Sequence, residues 1–500
     1  MRNRWAYFRP VVDYLGLLAW VFGFLMLVPV GVWAAMASSE SREVSFEAFG
    51  LPCLLSLVAG IVLKRNLRFP PLDARRAMIL CSLGWILISA IGAIPFCLGI
   101  GASYLDAYFE TVSGFTTTGI TMFSGLDDMP RSILFWRSFI QWLGGLGILT
   151  FFLAVLYTGG SAQRLFGAES HKVFSRRPTP SLFRTLRILW LIYAFFTALV
   201  TAGLVLEGMK CFDAVAHAMT ALSTGGYSPY DASIEHFRQA GYRYSTLIEY
   251  TIILGMLLGG INFFVHYRVL LGGVKALWDS LEMRLWWVLL AGGTLLVAIG
   301  HIRRFGFDTV TAGSQLHEIF RNSLFQVVSI ATTTGFATKD IAGSYFSPAA
   351  KQVFLVLMVV GGCVGSTGGG LKVLRVGVLG KMVGQQIRRV IYGPAAVQPV
   401  AVDLEPINKE EIRRIASLFF AWMALLAFGG IVTAMLSEHD AMASASGMFS
   451  ALGNIGPCYI ATPKMALLHP VVKVVYIFGM LAGRLEILPL LLLFSRKTWR

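Results

Sequence analysis

Charged residues are scarce in this chain. Asp, Glu, Lys and Arg make up 14% of its 500 residues, against 56% hydrophobic, whereas soluble globular domains carry about a quarter charged. A water-soluble fold is excluded. Cysteine is scarce too: Cys53, Cys81, Cys97, Cys211, Cys363 and Cys458 show no CxxC or metal-ligand spacing, and read as small apolar residues inside helices. No GxGxxG behind a strand and no Walker pattern occurs, so the chain holds no nucleotide-binding motif of its own. His171, His217, His266 and His317 form no HExxH, and no nucleophile sits in a recognised elbow, which removes the support for a membrane-embedded enzyme. The first apolar run lacks a small-residue cleavage site and is too long for a leader, so it counts as a span.

Apolar length is what the chain has in abundance. Its mean hydropathy is +0.67, and runs such as residues 14–37, 188–207 and 470–494 exceed the roughly 20 residues that cross a hydrocarbon core of about 30 Å. The expected spans are 14–37 and 44–63, then pairs at 77–100 and 132–157, 186–207 and 246–271, 284–301 and 348–389, and 412–436 and 470–494. The net charge of +15 would suggest nucleic acid in a soluble protein, but its distribution argues otherwise. Basic clusters recur in alternate loops, at Lys64 to Arg76, Arg164 to Arg187 and Lys372 to Arg414, and at both ends. The loops between carry Glu40, Glu43 and Glu47, then Asp127 and Asp128, then Glu438 and Asp440. This asymmetry places both termini in the cytoplasm, with Arg303 and Arg304 as exceptions, and no nucleic acid is expected.

One pattern recurs four times between the apolar runs. Thr116, Thr117, Thr118 and Gly119 match Ser223, Thr224, Gly225 and Gly226, then Thr332, Thr333, Thr334 and Gly335, and a more worn copy at Gly453, Asn454, Ile455 and Gly456. The last glycines are 107, 109 and 121 residues apart. Each turn ends a segment of about a dozen residues, too short to cross a bilayer at 1.5 Å per residue, so each must dip in and return. Thirteen residues before each glycine stand Asp106, Asp213 and Asn322, which are suitable helix N-caps; the fourth copy has Ala443 there, with Asp440 three residues earlier. Nine residues before it stand Glu110, His217, Gln326 and Gly447. The division expected is 1–74 (two helices and a basic loop), 75–160, 161–273, 274–392 and 393–500, an all-α membrane protein of four helix, pore-helix, helix repeats.

Irregular backbone at membrane depth is tolerated only where it is buried in protein or lines a wet cavity. Four such loops converging on one axis can offer carbonyls, and threonine hydroxyls, in place of a cation's hydration shell. The four short helices would also aim their partially negative C-terminal ends at the centre, which favours a cation.

Two further stretches are unusual. Six of the ten residues from 361 to 370 are glycine (Gly361, Gly362, Gly365, Gly368, Gly369, Gly370, with Ser366 and Thr367 among them). Each costs a helix about 1 kcal/mol relative to alanine, so the third repeat's second helix should unwind there. Arg484 lies in the last apolar run, expensive unless paired or facing water; it reads either as an electrostatic barrier in a pore or as a structural salt bridge to a neighbouring helix. Glu486, two positions on, does not share its helix face.

The four turns, the glycine-rich GGCVGSTGGGLK stretch from Gly361 to Lys372 and the Arg484 segment together resemble the Trk/Ktr/HKT superfamily of cation transporters, from about residue 75 onward. The two extra N-terminal spans resemble its TrkH/TrkG branch. The resemblance implies potassium as the ion, residues 116–119, 223–226, 332–335 and 453–456 as a selectivity filter, and the glycine-rich stretch as a movable gate with Arg484 near the pore. It also implies a homodimer in the bacterial inner membrane, with a cytosolic nucleotide-binding regulatory subunit of TrkA type. In the HKT branch a serine for the first filter glycine accompanies sodium preference, and all four glycines here favour potassium. Cys458 departs from the further glycine that members often carry. Channel-like uptake is the first expectation; symport with sodium or protons is the alternative.

Overall fold

The computed structural model describes residues 4–36, 44–63, 72–157, 182–306, 313–393, 399–403 and 405–499. Lys64, Arg65, Arg68, His171 and the basic cluster at 164–177 lie outside the described residues. Apart from two pairs of two-residue strands, the regular structure among the described residues is helical.

The first two helical passes form an antiparallel hairpin. The first runs as Arg4–Leu25 and Leu27–Met36. The break at Met26 lies four residues or fewer before Pro29, whose ring has no N–H to give the Leu25 carbonyl. The second is Glu47–Leu63. The two pack through glycine: a Cβ at Gly60 would meet the Trp20 backbone at 2.7 Å, and one at Gly23 would meet Leu57 at 2.7 Å, the close approach that small residues allow between membrane helices.

Four helix, short-helix, helix units follow. The first comprises Ala74–Gly92 with Ile94–Ile100, then Tyr104–Phe115, then Arg131–Tyr157. The second comprises Leu182–Leu206, Cys211–Leu222, and Ser245–Gly260 with Phe263–Leu270. The third comprises Leu281–Phe305, Gly313–Ala331, Pro348–Val359 and, beyond the glycine-rich loop, Val373–Tyr392. The fourth comprises Lys409–Leu436, Ala441–Gly453, and Pro470–Leu485 with Leu488–Phe494. Among the described residues five helices are long and apolar enough to span a membrane, and a sixth if the bent pair in the second unit is one span. The span expected at 132–157 is the unbroken helix Arg131–Tyr157, and those expected at 44–63, 348–389 and 470–494 are present as shorter or interrupted helices.

Three details differ from the sequence reading. The residues thirteen before each glycine are not the N-caps. Ser103 and Asp440 cap the first and fourth short helices through their side chains, with Asp106 and Ala443 donating backbone N–H groups to them, and Lys210 precedes the second. Asp106 instead closes a reciprocal capping pair with the Ser103 hydroxyl at 2.7 Å. The third short helix starts at Gly313 and runs 19 residues, so Asn322 is interior to it. The span expected at 246–271 turns by 106° between Gly260 and Phe263, where Asn262 caps the new helix by accepting from Phe264 N at 2.8 Å.

Burial is inverted relative to a soluble protein. Leu191, Val288, Val356 and Phe420 are exposed on the outside, while Glu110, His217, Gln326 and every filter threonine are buried. Two large apolar cores share the bundle. One unites the second and third units around Tyr193, Trp286 and Phe325; the other unites the N-terminal hairpin with the first and fourth units around Trp136, Tyr476 and Leu485. The turns lie between these two halves.

Candidate functional site: a ring of four turns above a glycine loop

Each short helix ends in the same way. The second residue of each turn, Thr117, Thr224, Thr333 and Asn454, has φ between 53° and 59°, and the fourth, Gly119, Gly226, Gly335 and Gly456, has φ between 73° and 103°. The third residue reaches back to the helix: Thr118 N donates to Ser113 O at 2.8 Å, Gly225 N to Thr220 O at 2.8 Å, Thr334 N to Ser329 O at 2.8 Å and Ile455 N to Ser450 O at 3.0 Å. This is the Schellman helix end, with a threonine or asparagine in the left-handed position that glycine usually fills. The backbone turns outward from the helix axis, and no hydrogen bond among the described residues reaches the carbonyl oxygens of Thr116 to Thr118 or of Thr332 to Thr334.

The four turns close a ring. A Cβ on Gly119 would collide with the Gly225 carbonyl oxygen, one on Gly226 with that of Thr334, and one on Gly335 with that of Ile455; one on Gly456 would lie 3.0 Å from that of Thr118. Each glycine is thus required twice over, by its positive φ and by the next turn's backbone. Polar side chains tie the ring together. Gln141 donates from Nε2 to Gly225 O at 2.7 Å and accepts from Tyr227 N at 3.0 Å. Asn454 Nδ2 donates to Thr118 Oγ1 at 2.8 Å and to Met480 O at 3.0 Å.

Behind the ring, the four positions nine residues before each glycine diverge. Glu110, fully buried, accepts from Arg137 Nε at 2.9 Å and Met122 N at 2.8 Å. Arg137 also donates to Ser228 O at 3.0 Å, and its guanidinium lies 4.2 Å from the Tyr227 ring centre. His217 places Nε2 3.1 Å from Ser228 Oγ. The amide of Gln326 is buried with neither atom hydrogen-bonded among the described residues. Gly447 leaves room that the Tyr476 hydroxyl fills. Sequence reasoning missed Arg137, Gln141 and the buried Arg321–Glu249 pair at 2.6 Å. The signal available was a charged or amide residue inside an apolar run.

The glycine-rich stretch is a loop inside the membrane span, clasped at its ends by a parallel pairing of Val360 with Leu371 and Gly361 with Lys372. It packs under the ring. Gly369 N donates to Thr333 Oγ1 at 2.7 Å, and Gly369 is so close to Asn454 that a Cβ would meet that side chain at 2.6 Å. A Cβ on Gly368 would lie 3.2 Å from the Thr332 carbonyl oxygen. Thr367 Oγ1 lies 2.9 Å from Leu222 O and 3.0 Å from Gly259 O, and Cys363 N donates to Gly260 O at 3.1 Å. The bend after Gly260 therefore supplies free carbonyls that hold the loop. Ser366 accepts from Gly368 N at 3.2 Å, and Gly365 O accepts from Phe263 N at 3.1 Å. Gly362 and Gly370 complete the loop, Gly370 at φ 71°.

Arg484 is buried and makes no salt bridge among the described residues. Its Nη1 donates to Thr367 O at 2.6 Å and its Nη2 to Gly144 O at 3.3 Å. Glu486 pairs instead with Arg375 at 2.7 Å. The structural salt-bridge reading of Arg484 is thereby excluded among the described residues. Cys458 is a free, buried thiol in the segment after the fourth turn.

A multi-pass helical membrane protein with four short helices pointed at a common ring of turns is the class that this fold and site define. The sequence pattern of the TrkH cation transport protein family matches residues 52–500. The Trk system potassium uptake protein TrkH of Salmonella typhimurium is 31% identical over 503 residues, covering 99% of this chain and 100% of that protein. The Trk system potassium uptake protein TrkG of Escherichia coli K12 is also 31% identical, with 99% of each chain covered. The crystal structure of the potassium transporter TrkH from Vibrio parahaemolyticus superimposes with a TM-score of 0.85 at 28% identity, covering 99% of this chain and all of that one. The chain belongs to the TrkH family of cation transport proteins.

Proposed function

We propose that this protein takes up potassium across the bacterial inner membrane by a channel-like route. The observation that carries the reading is the closed ring of four turns of like backbone conformation, whose carbonyls, unbonded at Thr116 to Thr118 and at Thr332 to Thr334 among the described residues, can replace the hydration shell of a cation. Residues 116–119, 223–226, 332–335 and 453–456 would strip water from the ion. The Gly361–Gly370 loop, seated directly beneath, would block its onward path until displaced. Arg484 would set a positive charge beside that path and hold the loop through Thr367. The basic loops support a cytoplasmic position for both termini. A homodimer with a cytosolic, TrkA-type nucleotide-binding subunit fits the absence of a nucleotide motif from this chain's sequence and the Trk system names of its relatives.

The test is growth of a potassium-uptake-deficient bacterium at limiting potassium. Wild type expressed with its partner should rescue growth, and Gly335→Ser should rescue weakly, since φ 92° and the Ile455 carbonyl both oppose a side chain there. Lack of rescue by the wild type would overturn the reading. Uptake that disappears when sodium and the proton gradient are both removed would replace the channel with a symporter.

A further inference from the structure

A cavity of about 1200 Å³ lies between the third unit's first helix (Leu281–Phe305) and the helix that leaves the glycine loop (Val373–Tyr392). Leu285 and Val288 form one wall. Val288 is exposed, so the cavity opens on the outside of the bundle. Val360 and Val373, at the two ends of the glycine loop, line it as well, and so do Lys381 and Arg388. From Val373 to Arg388 the helix rises about 22 Å, more than the roughly 15 Å depth of one leaflet.

Charge and shape point to the same occupant. The helix Val373–Tyr392 carries Arg375, Lys381, Arg388 and Arg389 and no acid, and no carboxylate lines the cavity among the described residues. Lys381 donates to Ala401 O at 2.7 Å, whereas Arg388 has no ion pair or side-chain hydrogen bond among the described residues. Gly380 and Gly384 also line the cavity, and a Cβ on either would meet no atom within 4 Å. Each costs the helix about 1 kcal/mol relative to alanine, and helix packing requires neither. Their effect is to keep an apolar channel open from the cations towards the loop.

We propose that this cavity binds an anionic phospholipid, its headgroup phosphate at Arg388 and Lys381 and one acyl chain lying along Gly380 and Gly384 towards Val373 and Val360. A chain seated there braces both ends of the clasped loop, so occupancy lowers ion flux. That consequence rests on the gating proposed above; the binding does not.

Delipidated full-length protein is titrated with phosphatidylglycerol, phosphatidylcholine and inorganic phosphate, and bound ligand is counted by native mass spectrometry. Phosphatidylglycerol should be retained at least tenfold over phosphatidylcholine, and phosphate alone should not bind. Lys381→Ala with Arg388→Ala should weaken retention about 30-fold, at roughly 1 kcal/mol for each basic residue. Gly380→Leu fills the channel, keeps both charges and favours the helix, and should weaken it comparably; Gly384→Leu repeats the test should the first variant fold poorly. Equal retention of the two lipids, phosphate binding that survives Gly380→Leu, or a change from dimer to monomer in Gly380→Leu without loss of lipid would each overturn the site. Flux in phosphatidylglycerol vesicles that equals flux in phosphatidylcholine vesicles would overturn the bracing role alone. No flux in either membrane would count against the transport reading instead.

Discussion

Arg484 and Thr367 are 117 residues apart in sequence, yet the Arg484 guanidinium donates to the Thr367 carbonyl at 2.6 Å in the middle of the bundle. This bond joins the last membrane span to the loop inside the third unit, and under the proposed gating it would make the arginine a latch as well as a charge. A buried hydrogen bond from a charged donor contributes about 1.5–3 kcal/mol, so Arg484→Ala should shift the loop towards its displaced state about 10- to 100-fold. Rubidium uptake into proteoliposomes under an imposed potential should rise. A fall in uptake by stably folded Arg484→Ala would contradict the latch.

The Thr367 hydroxyl, within reach of the Leu222 and Gly259 carbonyls, gives a gentler test. Thr367→Val removes it at nearly constant volume and forfeits about 1 kcal/mol, enough for roughly fivefold faster uptake. Thr367→Ser keeps the hydroxyl and should match the wild type. If serine and valine behave alike, the hydroxyl does not hold the loop.

Gly119 and Gly125 separate two roles of glycine. Both have positive φ, 82° and 74°, but only Gly119 faces another backbone, the Gly225 carbonyl; a Cβ at Gly125 meets nothing within 4 Å. Gly125→Ala should cost about 1 kcal/mol of backbone strain and leave ion selectivity intact. Gly119→Ala adds an overpacking cost of about 1–3 kcal/mol within the ring and should reduce potassium over sodium discrimination at least tenfold. Competitive uptake of the two ions by both variants settles the comparison.

The Glu110–Arg137 pair, at 2.9 Å and almost wholly buried, supports the ring from behind. Removing one partner should cost about 3–5 kcal/mol by stranding the other charge. Thermal unfolding in detergent should therefore show a large loss for Arg137→Met and a smaller one for Arg137→Met combined with Glu110→Leu. Additive losses in the double variant would mean that the two side chains act independently.

Much of this arrangement was legible in the sequence because it follows from local rules. Apolar length set the membrane passes, and the fourfold Thr/Gly spacing set the four turns; in three of them the helix before the turn has 12 or 13 residues, too few to cross a bilayer, while the third, at 19 residues, is longer than its spacing suggested. The glycine cluster set the break at 361–370 through helix propensity alone. What stayed hidden depended on partners distant in sequence. The bend after Gly260 looks in sequence like an ordinary glycine pair, and only the loop amides of Cys363 and Thr367, which occupy the carbonyls of Gly260 and Gly259, show why it is there. The N-caps were misplaced by three residues because Asp106 and Asp213 are acceptable both as caps and in the first helical turn.

The sequence by itself determined that this chain is a membrane protein built from four related units, each with a turn that leaves backbone carbonyls without a helix. It did so through composition, length and periodicity, which need no knowledge of packing. Only the tertiary structure decided that the turns close on one another, each glycine against the next turn's carbonyl, and that the glycine loop is pinned beneath them by Thr333, Thr367 and Arg484. Those contacts join residues as far apart in sequence as Gly456 and Thr118. Such pairings are fixed by how the helices pack, and no local pattern encodes them.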